Sequence, residues 1–248
     1  MSHTHRFFSD VVTADMSYVE LSGEEAHHAL RVARVRPGDG VSVFDGKGLE
    51  IIGECDRIDK RSVYIRAVRT THHAPPPVRV TVAVGGLHRD KAQETVVRRA
   101  AEMGAWRVCF WHADHSQRPI KPTERWRKTA IEACKQCGRV YLPEVDTAPS
   151  LEAFLKQHNG PCIIGLLTKD AAAGAPTISM ADNVALLIGP EGDFSEQERN
   201  AALNAGAQPV SLGSYTYRSE VAAALLMTIV ACAIGDLGPG VALDMPRK

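Results

Sequence analysis

Two short segments near the C-terminus carry the residues best suited to chemistry. The first, Gly189-Pro190-Glu191-Gly192, follows an apolar run, and the second leads from a Leu-Gly turn to Arg218-Ser219-Glu220. Glycines allow a tight turn and a close approach of the backbone to a flat ligand such as a purine. Arg218 and Glu220 stand where an apolar helix begins, which suits binding of a phosphate or an oxyanion. The pattern predicts a ligand pocket; an ordinary strand–helix loop and a simple helix-terminal charge are the alternatives.

The elements around these segments alternate between strands and helices. Strands separated by helices of ten or more residues favour a parallel sheet that is covered on both faces, with ligands at the carboxyl ends of its strands. Ser195 and Glu198 have the spacing of a capping box at the start of one helix. A third strand end, at 166–168, is expected beside the two turns. The predicted strands are 78–84, 106–111, 161–167, 184–188 and 208–212, and the predicted helices are 91–103, 123–137, one from 195, and 219–234.

The N-terminal part of the chain has a different pattern. Residues 41–44 and 49–55 flank Asp-Gly-Lys-Gly and predict a hairpin, and 62–68 alternates as a further strand. Ser22 and Glu25 predict a second capping box on a short helix. Three consecutive prolines, Pro75–Pro77, end this region because proline cannot continue a helix or a central strand. A small barrel-like module is therefore expected before the parallel sheet.

Composition and charge narrow the class of protein. The chain has 248 residues, of which 44% are hydrophobic and 23% charged, as in ordinary two-domain globular proteins. It has no long apolar run and a polar N-terminus, so we expect no membrane span, no signal peptide and a cytoplasmic location. The net charge is zero, yet residues 76–145 contain 13 Lys and Arg against seven Asp and Glu. This segment predicts either a phosphate-binding patch or a solvated helix face.

The cysteines and the absent nucleotide motifs exclude other sites. Cys134 and Cys137 form a CxxC, but no second pair accompanies them at metal-binding spacing. We therefore expect reduced, mostly buried thiols and no metal. Neither GxGxxG nor GxxxxGK[ST] occurs, which disfavours a common nucleotide-phosphate site.

Taken together, these motifs resemble the RsmE family of ribosomal RNA uracil-N3 methyltransferases. The resemblance rests on Gly-Pro-Glu-Gly-Asp-Phe-Ser-x-x-Glu at 189–198, the Leu-Gly turn before Arg218, Arg125-Trp126, and the segment 132–139. The N-terminal segments 6–8, 25–28, 31–34, 37–39 and 44–48 agree with the PUA-like domain of that family. The similar positions cover nearly the whole chain and occur in the same order.

The resemblance implies a fold, a cofactor and partners. Residues 74–248 would form a SPOUT-type α/β domain, a parallel sheet with a C-terminal trefoil knot, and residues 1–73 a PUA-like β-barrel that binds RNA. The enzyme would be a homodimer that uses S-adenosylmethionine to methylate N3 of a uridine in 16S ribosomal RNA or in the assembled small subunit. The positions that correspond to the cofactor wall are Leu167, Thr168, Ile188, Gly189, Pro190, Glu191, Gly192, Leu212, Gly213, Tyr217 and Arg218.

The chemistry of the implied reaction suggests roles in catalysis and RNA binding for particular residues. Arg218 would stabilise the uracil anion, and Glu220 would orient Arg218 or receive the N3 proton. Tyr215 or Phe194 would support a base that has left its stack. Arg127 and Lys128 add to the basic segment, and the main predicted RNA contacts are Arg6, Arg31, Arg34, Arg36, Arg118, Lys121, Arg125, Gln136 and Arg139.

Several positions depart from the family pattern. Asp193 replaces a glycine, Tyr217 a leucine, Val221 a threonine and Cys137 a serine, while 114–116 replaces an Arg-Ser pair. Because the backbone turns at the cofactor survive these changes better than the RNA-facing side chains do, methyl transfer is better supported than the identity of the nucleotide. A SPOUT methyltransferase acting on another RNA position and a catalytically silent RNA-binding or ribosome-assembly protein remain as alternatives.

Overall fold

The structure is a computed structural model that describes residues 5–116, 120–166, 183–235 and 237. It divides into two compact units, and each is described by itself. The first unit contains residues 1–76 together with 130–142, and the second contains 77–129 together with 143–248. Segment 130–142, which includes the second half of a long helix, therefore belongs to the first unit.

The first unit is built on a five-stranded mixed sheet with the order β1-β3-β4-β5-β2. β1 and β3 are parallel and the other neighbours are antiparallel. Alternate apolar side chains of these strands, such as Val41, Val43, Ile51 and Ile65, form its buried core. The strands are β1 (His5–Phe8), β2 (Tyr18–Leu21), β3 (Gly40–Phe44), β4 (Leu49–Ile58) and β5 (Val63–His72).

The predicted capping box at Ser22 is wrong. Helix α1 (Gly23–His27) does begin after Ser22, but the Ser22 side chain makes no capping hydrogen bond. Glu25 instead accepts from the backbone amide of Phe8 at 3.3 Å and from Lys135 Nζ at 3.0 Å. The Glu25 carboxylate is therefore bound to tertiary partners and is not part of a capping box. The chain continues into one wider, π-helical turn, His28–Ala33, which ends at Arg34 in a left-handed conformation.

The second unit confirms the predicted parallel sheet. Its six strands have the order β11-β9-β10-β6-β7-β8, and every neighbouring pair is parallel. The strands are β6 (Arg79–Gly85), β7 (Arg107–Trp111), β8 (Glu144–Ala148), β9 (Cys162–Leu166), β10 (Asn183–Ile188) and β11 (Gln208–Ser211), and the helices are α2 (Asp90–Glu102), α4 (Leu151–Gln157), α5 (Glu196–Asn204) and α6 (Ser219–Ala233). Helix α3 (Glu124–Cys137) begins in the second unit, and its residues from 130 onward belong to the first.

The sequence did not predict β8 and α4. β8 reads Glu-Val-Asp-Thr-Ala and is only partly buried, so it lacks the apolar run that revealed the central strands. Central strand β10, by contrast, is buried over Val184–Ile188. None of the described helices has the length and hydrophobicity that crossing a membrane requires.

The strand order explains how the site is assembled. β11, β9 and β10 are adjacent in the sheet and parallel, so their carboxyl ends meet at one edge. β9 ends at Leu166, and the residues that follow it, including the predicted cofactor contacts Leu167 and Thr168, lie outside the described residues. The trefoil knot stays a prediction.

Candidate active site

A cavity of about 470 Å³ opens at the carboxyl ends of β9, β10 and β11. All of its described lining residues belong to the second unit. The structure brings together on this wall the predicted contacts Ile188–Gly192, Leu212, Gly213, Tyr217 and Arg218. The lining residues that the sequence reasoning did not assign to the cofactor are Gly165, Leu166, Asp193, Tyr215, Thr216, Ser219 and Ala222.

The turn after β10 is fixed by close backbone packing. The backbone amide of Asp193 donates to the carbonyl of Pro190 at 3.0 Å and closes the turn. Gly85, the last residue of neighbouring β6, lies directly beneath it, since a Cβ at this position would be 2.5 Å from Pro190 Cδ. A glycine is therefore required at 85 for the turn to rest on the sheet. The signal available in the sequence was the Gly-Gly pair at the end of a predicted strand.

Glu191 ties the same turn to the loop between β6 and α2. Its carboxylate oxygens accept from the backbone amide of His88 at 3.0 and 3.2 Å. The contact spans 103 residues of sequence, so no local pattern could indicate it. Glu191 lines the cavity but already has a partner in the protein.

His115 holds the turn from the side of β7. Its Nδ1 lies 2.9 Å from the carbonyl oxygen of Gly192 and 3.0 Å from that of Asp193, and because both carbonyls are acceptors, Nδ1 must donate. These hydrogen bonds, that to Asp193 first, raise the pKa of His115 above its usual value. Gly192 is needed here too, because a Cβ would lie 2.9 Å from His115 Cβ. In the sequence, His115 stands out only as a departure from the family pattern.

The start of α5 confirms the capping box predicted at Ser195. The Ser195 side chain accepts from the amide of Glu198, and the Glu198 carboxylate accepts from the amide of Ser195. Glu198 is buried and also accepts from Trp111 Nε1 at 2.9 Å. Phe194 is buried and stacks on Trp111 with ring centroids 5.9 Å apart. Phe194 is therefore packed in the core, unlike Tyr215, the other ring suggested to support the target base.

The segment from Leu212 to Glu220 presents exposed side chains at the cavity. Gly213 has a φ of +115°, a left-handed conformation that glycine adopts readily. Tyr215 is 74% exposed, so its ring is available to a ligand. Arg218 is the N-cap residue of α6, and its exposed side chain makes no hydrogen bond or ion pair within the described part of the chain. Glu220, half-buried in the first turn, forms no ion pair with Arg218 there.

The predicted RNA contacts fall in three places. Arg31, Arg34 and Arg36 are exposed in and just after the π-helical turn, and Gln136 is exposed on α3, all in the first unit. In the second unit Lys121 is exposed, and Arg125 is exposed although its Nε lies 3.0 Å from Glu94. Arg118 lies outside the described residues.

Arg6 does not fit its predicted place on an RNA-binding surface. Its guanidinium forms an ion pair with the largely buried Glu50 and donates to the carbonyl of Arg139 at 3.3 Å. His73 Nε2 contacts the other oxygen of Glu50 at 3.0 Å. Burial opposes ionisation of Glu50, but hydrogen bonds from Ser42 and His73 together with Arg6 hold its pKa below the usual value. Arg6 thus serves the interior of the first unit, and Arg139 contributes its half-buried backbone to the same cluster.

All six cysteines lie among the described residues, and four of them, Cys55, Cys109, Cys134 and Cys162, are buried. None of the six takes part in a disulfide, and burial raises the pKa of Cys134 to about 12, which disfavours its reactive thiolate form. Within the described ranges, no group of three or more His, Cys, Asp or Glu side chains could hold a metal ion.

Comparison with known proteins shows similarity to RNA methyltransferases over most of the chain. An RNA methyltransferase domain model matches residues 74–231 and an RNA methyltransferase PUA domain model matches residues 21–68. The chain is 27% identical to the ribosomal RNA small subunit methyltransferase E of Mycobacterium bovis over 246 residues, 90% of each protein.

Solved structures agree with the fold over nearly the whole chain. A probable rRNA-methyltransferase from Porphyromonas gingivalis is similar with a TM-score of 0.81 at 27% identity, over 94% of this chain and 99% of that one. A Legionella pneumophila protein solved in complex with the cofactor SAM is similar with a TM-score of 0.78 at 25% identity, over 93% and 98%. The domain model at 74–231 contains every described residue that lines the cavity.

Proposed function

Because the chain belongs to the RsmE family of RNA methyltransferases, we propose that it transfers a methyl group from S-adenosylmethionine to N3 of a uridine in 16S ribosomal RNA. The observation that carries the proposal is the cavity, in which a glycine turn and an exposed arginine converge at the ends of three adjacent strands. The reaction takes place in the cytoplasm, on ribosomal RNA or on the assembled small subunit.

The cavity suits S-adenosylmethionine in size and lining. Its volume of about 470 Å³ lies in the range of small-molecule pockets. Gly189, Gly192 and Gly213 carry no side chains, so a flat group such as adenine can approach the backbone of the cavity wall closely. The related Legionella protein holds SAM. The backbone of 189–192 and 212–213 is proposed to hold the cofactor, with Leu167 and Thr168 completing the wall.

The chemistry asked of the protein is alignment and charge stabilisation. Bound S-adenosylmethionine supplies an activated methyl group on a sulfonium sulfur. Uracil N3 is nucleophilic once its proton has left, and the resulting negative charge spreads over the two neighbouring carbonyl oxygens. Arg218, exposed at the cavity and at a helix N-terminus, stabilises this charge. Glu220 receives the proton or orients Arg218, and Tyr215 supports the extruded base.

RNA is held by basic side chains in both parts of the chain. Residues 1–73 serve as the RNA-binding module and residues 74–248 as the transferase domain. The exposed arginines of the π-helical turn and Lys121 bind phosphates, which positions the strand without reading its sequence. π-helical turns recur at functional sites, which supports a binding role for this one.

The active enzyme is proposed to be a homodimer that associates through α6. One face of this helix carries apolar side chains that the chain does not fully bury. Val221 is 42% exposed, Cys232 is exposed, and Leu225 and Ile229 are half-buried. Spacings of four, four and three residues place all four on one stripe, which a second copy would cover.

Calorimetric titration with S-adenosylmethionine tests the site. Ala222 lines the cavity and Ala224, on the same helix and equally half-buried, does not line it. We expect one binding site per chain in the wild type, lost in Ala222→Phe because the ring fills the cavity, and retained in Ala224→Phe. Absence of binding in the wild type, or equal binding by both variants, would contradict the proposal. Binding without methyl transfer would favour the silent RNA-binding protein.

A further inference from the structure

Asp193 has an unusual backbone conformation at the cavity wall. It is one of two described non-glycine residues with a positive φ, at +61°. This left-handed conformation is costly for most side chains, but Asp and Asn adopt it because their short side chains bond to nearby backbone. Asp193 does so, since its Oδ1 accepts from the amide of Phe194 at 2.8 Å. The carboxylate is therefore fixed at the turn and does not sweep through solvent.

The carboxylate adds negative charge to the cavity. Glu191, Asp193 and Arg218 are the charged residues among the described residues that line it. The Glu191 carboxylate is occupied by the amide of His88. Asp193 uses Oδ1 for Phe194, while its Oδ2 makes no hydrogen bond to any part of the chain that the structure describes. Asp193 thus offers an exposed, fixed anionic oxygen to a bound ligand.

We propose that Asp193 makes this cavity select the cationic S-adenosylmethionine over its neutral product, S-adenosylhomocysteine. The inference rests on the proposed function, because it assigns the cavity to this cofactor. The two compounds share the adenosine and the amino acid and differ in one methyl group and the positive charge on sulfur. A carboxylate in the wall attracts the sulfonium and has no such attraction for the thioether.

The reaction itself removes this attraction. The N3 lone pair forms the new N–CH₃ bond, the electrons of the broken S–CH₃ bond stay on sulfur, and the N3 proton leaves to a base. Sulfur thereby becomes neutral, so the carboxylate ceases to hold the product. Asp193 is a specificity-determining residue that favours exchange of product for fresh cofactor.

The test is the ratio of the dissociation constants for the product and the cofactor, measured by calorimetry. Asp193→Asn removes the charge while keeping the preference for positive φ and an acceptor for the Phe194 amide. Because the group is exposed, we expect the ratio to fall about two- to fivefold in this variant. Asp193→Gly, which adopts positive φ freely, is the second neutral variant and should give the same fall.

Two controls separate charge from structure. Glu196→Gln removes the same charge three residues away, from an exposed carboxylate that does not line the cavity, and should leave the ratio unchanged. An analogue with a protonated amine in place of the sulfonium should follow the cofactor, which shows that charge and not the methyl group is recognised.

The outcomes are distinct. An unchanged ratio in both Asp193 variants, or an amine analogue that follows the product, would overturn the role of Asp193 and leave the proposed function standing. A wild type that binds none of the three compounds would overturn the proposed function and this inference together. A loss of affinity for all three by the same factor in the Asp193 variants would show a contact to the shared part of the molecule, which also refutes the selection.

Discussion

Two arginines in this chain have different environments: Arg6 is paired inside the first unit, and Arg218 is exposed at the cavity. Arg6 and Arg218 both belong to the motifs on which the family resemblance rests. Arg6 is paired with buried Glu50 and the backbone of the first unit. Arg218 lines the cavity with no described partner. A guanidinium in the second situation can stabilise charge that develops on a substrate.

Replacing Arg218 should therefore impair chemistry more than cofactor binding. We expect Arg218→Ala to lower the single-turnover methylation rate by about a hundredfold, as for other groups that stabilise developing negative charge. Arg218→Lys keeps the positive charge and should retain part of the rate. The dissociation constant for S-adenosylmethionine, measured by calorimetry, should change much less. Equal rates in Arg218→Ala and wild type would show that the assignment is wrong.

His115 gives a prediction about pH. Its pKa is raised in the folded protein because the protonated ring donates to the carbonyls of Asp193 and Gly192. Protonation therefore favours the folded state. The stabilising contribution is complete below the unfolded pKa of 6.5 and is lost as the pH rises through the higher folded pKa.

The measurement compares thermal unfolding of the wild type and His115→Gln across this pH range. Glutamine cannot titrate, so the difference in unfolding temperature between the two proteins should shrink as the pH rises above 6.5. NMR titration of the His115 ring should give a pKa above the usual value. A constant difference in unfolding temperature, together with an ordinary ring pKa, would show that His115 does not stabilise the turn through these hydrogen bonds.

At the scale of elements, two helices that look alike in sequence begin differently. Ser22 and Ser195 each stand at an N-cap with a glutamate three residues later. The box at Ser195 forms, whereas Glu25 is taken by Phe8 and Lys135 and the Ser22 side chain makes no capping bond. The local motif makes a capping box possible, but the box forms only where tertiary contacts do not occupy the glutamate.

The two serines are thus a matched pair for mutation. Ser195→Ala should lower the free energy of unfolding by about 1 kcal/mol or more, because it removes a capping bond and a contact to Asp114. Ser22→Ala should change it little. Thermal or denaturant unfolding with both variants provides the measurement. An equal loss in the two variants would contradict the structural difference.

Features set by neighbouring residues could be predicted from the sequence, whereas features set by contacts between distant residues could not. The pattern of apolar residues predicted the parallel sheet and strand β10, because a buried strand is a continuous apolar run in the sequence. The bracing of the turn by Gly85, His88 and His115 could not be predicted, because each contact joins residues about 80 to 105 positions apart. The positive φ of Asp193 was likewise hidden, since the sequence showed only that a glycine had been replaced.

At the scale of the whole molecule, α6 joins the site to the proposed dimer. The helix carries Arg218 at its start and the half-covered apolar stripe of Val221, Leu225, Ile229 and Cys232 along its length. Ala222, which lines the cavity, lies beside Leu225 and Ile229 on the helix surface, so cavity and interface would form on adjacent faces of one element. A change in association should consequently be felt at the cofactor site.

Leu225→Arg tests this arrangement. Burying an arginine in an apolar interface would remove water from its charge without supplying a partner, which is costly. We therefore expect the variant to sediment as a monomer. Leu203→Arg is the control, since Leu203 is a 37% exposed apolar residue on α5 outside the stripe. Analytical ultracentrifugation should show dimers for the control and for the wild type. A monomeric wild type, or a dimeric Leu225→Arg, would refute the interface on α6.

The proposed activity is tested most directly by mapping the methyl group that the purified protein transfers. Small subunits or 16S RNA lacking uridine methylation are incubated with isotopically labelled S-adenosylmethionine, digested and analysed by mass spectrometry. We predict label in N3-methyluridine at a single position, strongly reduced with Arg218→Ala. Label in a different nucleoside would show another RNA methyltransferase, and no label on either substrate, despite cofactor binding, would contradict the account.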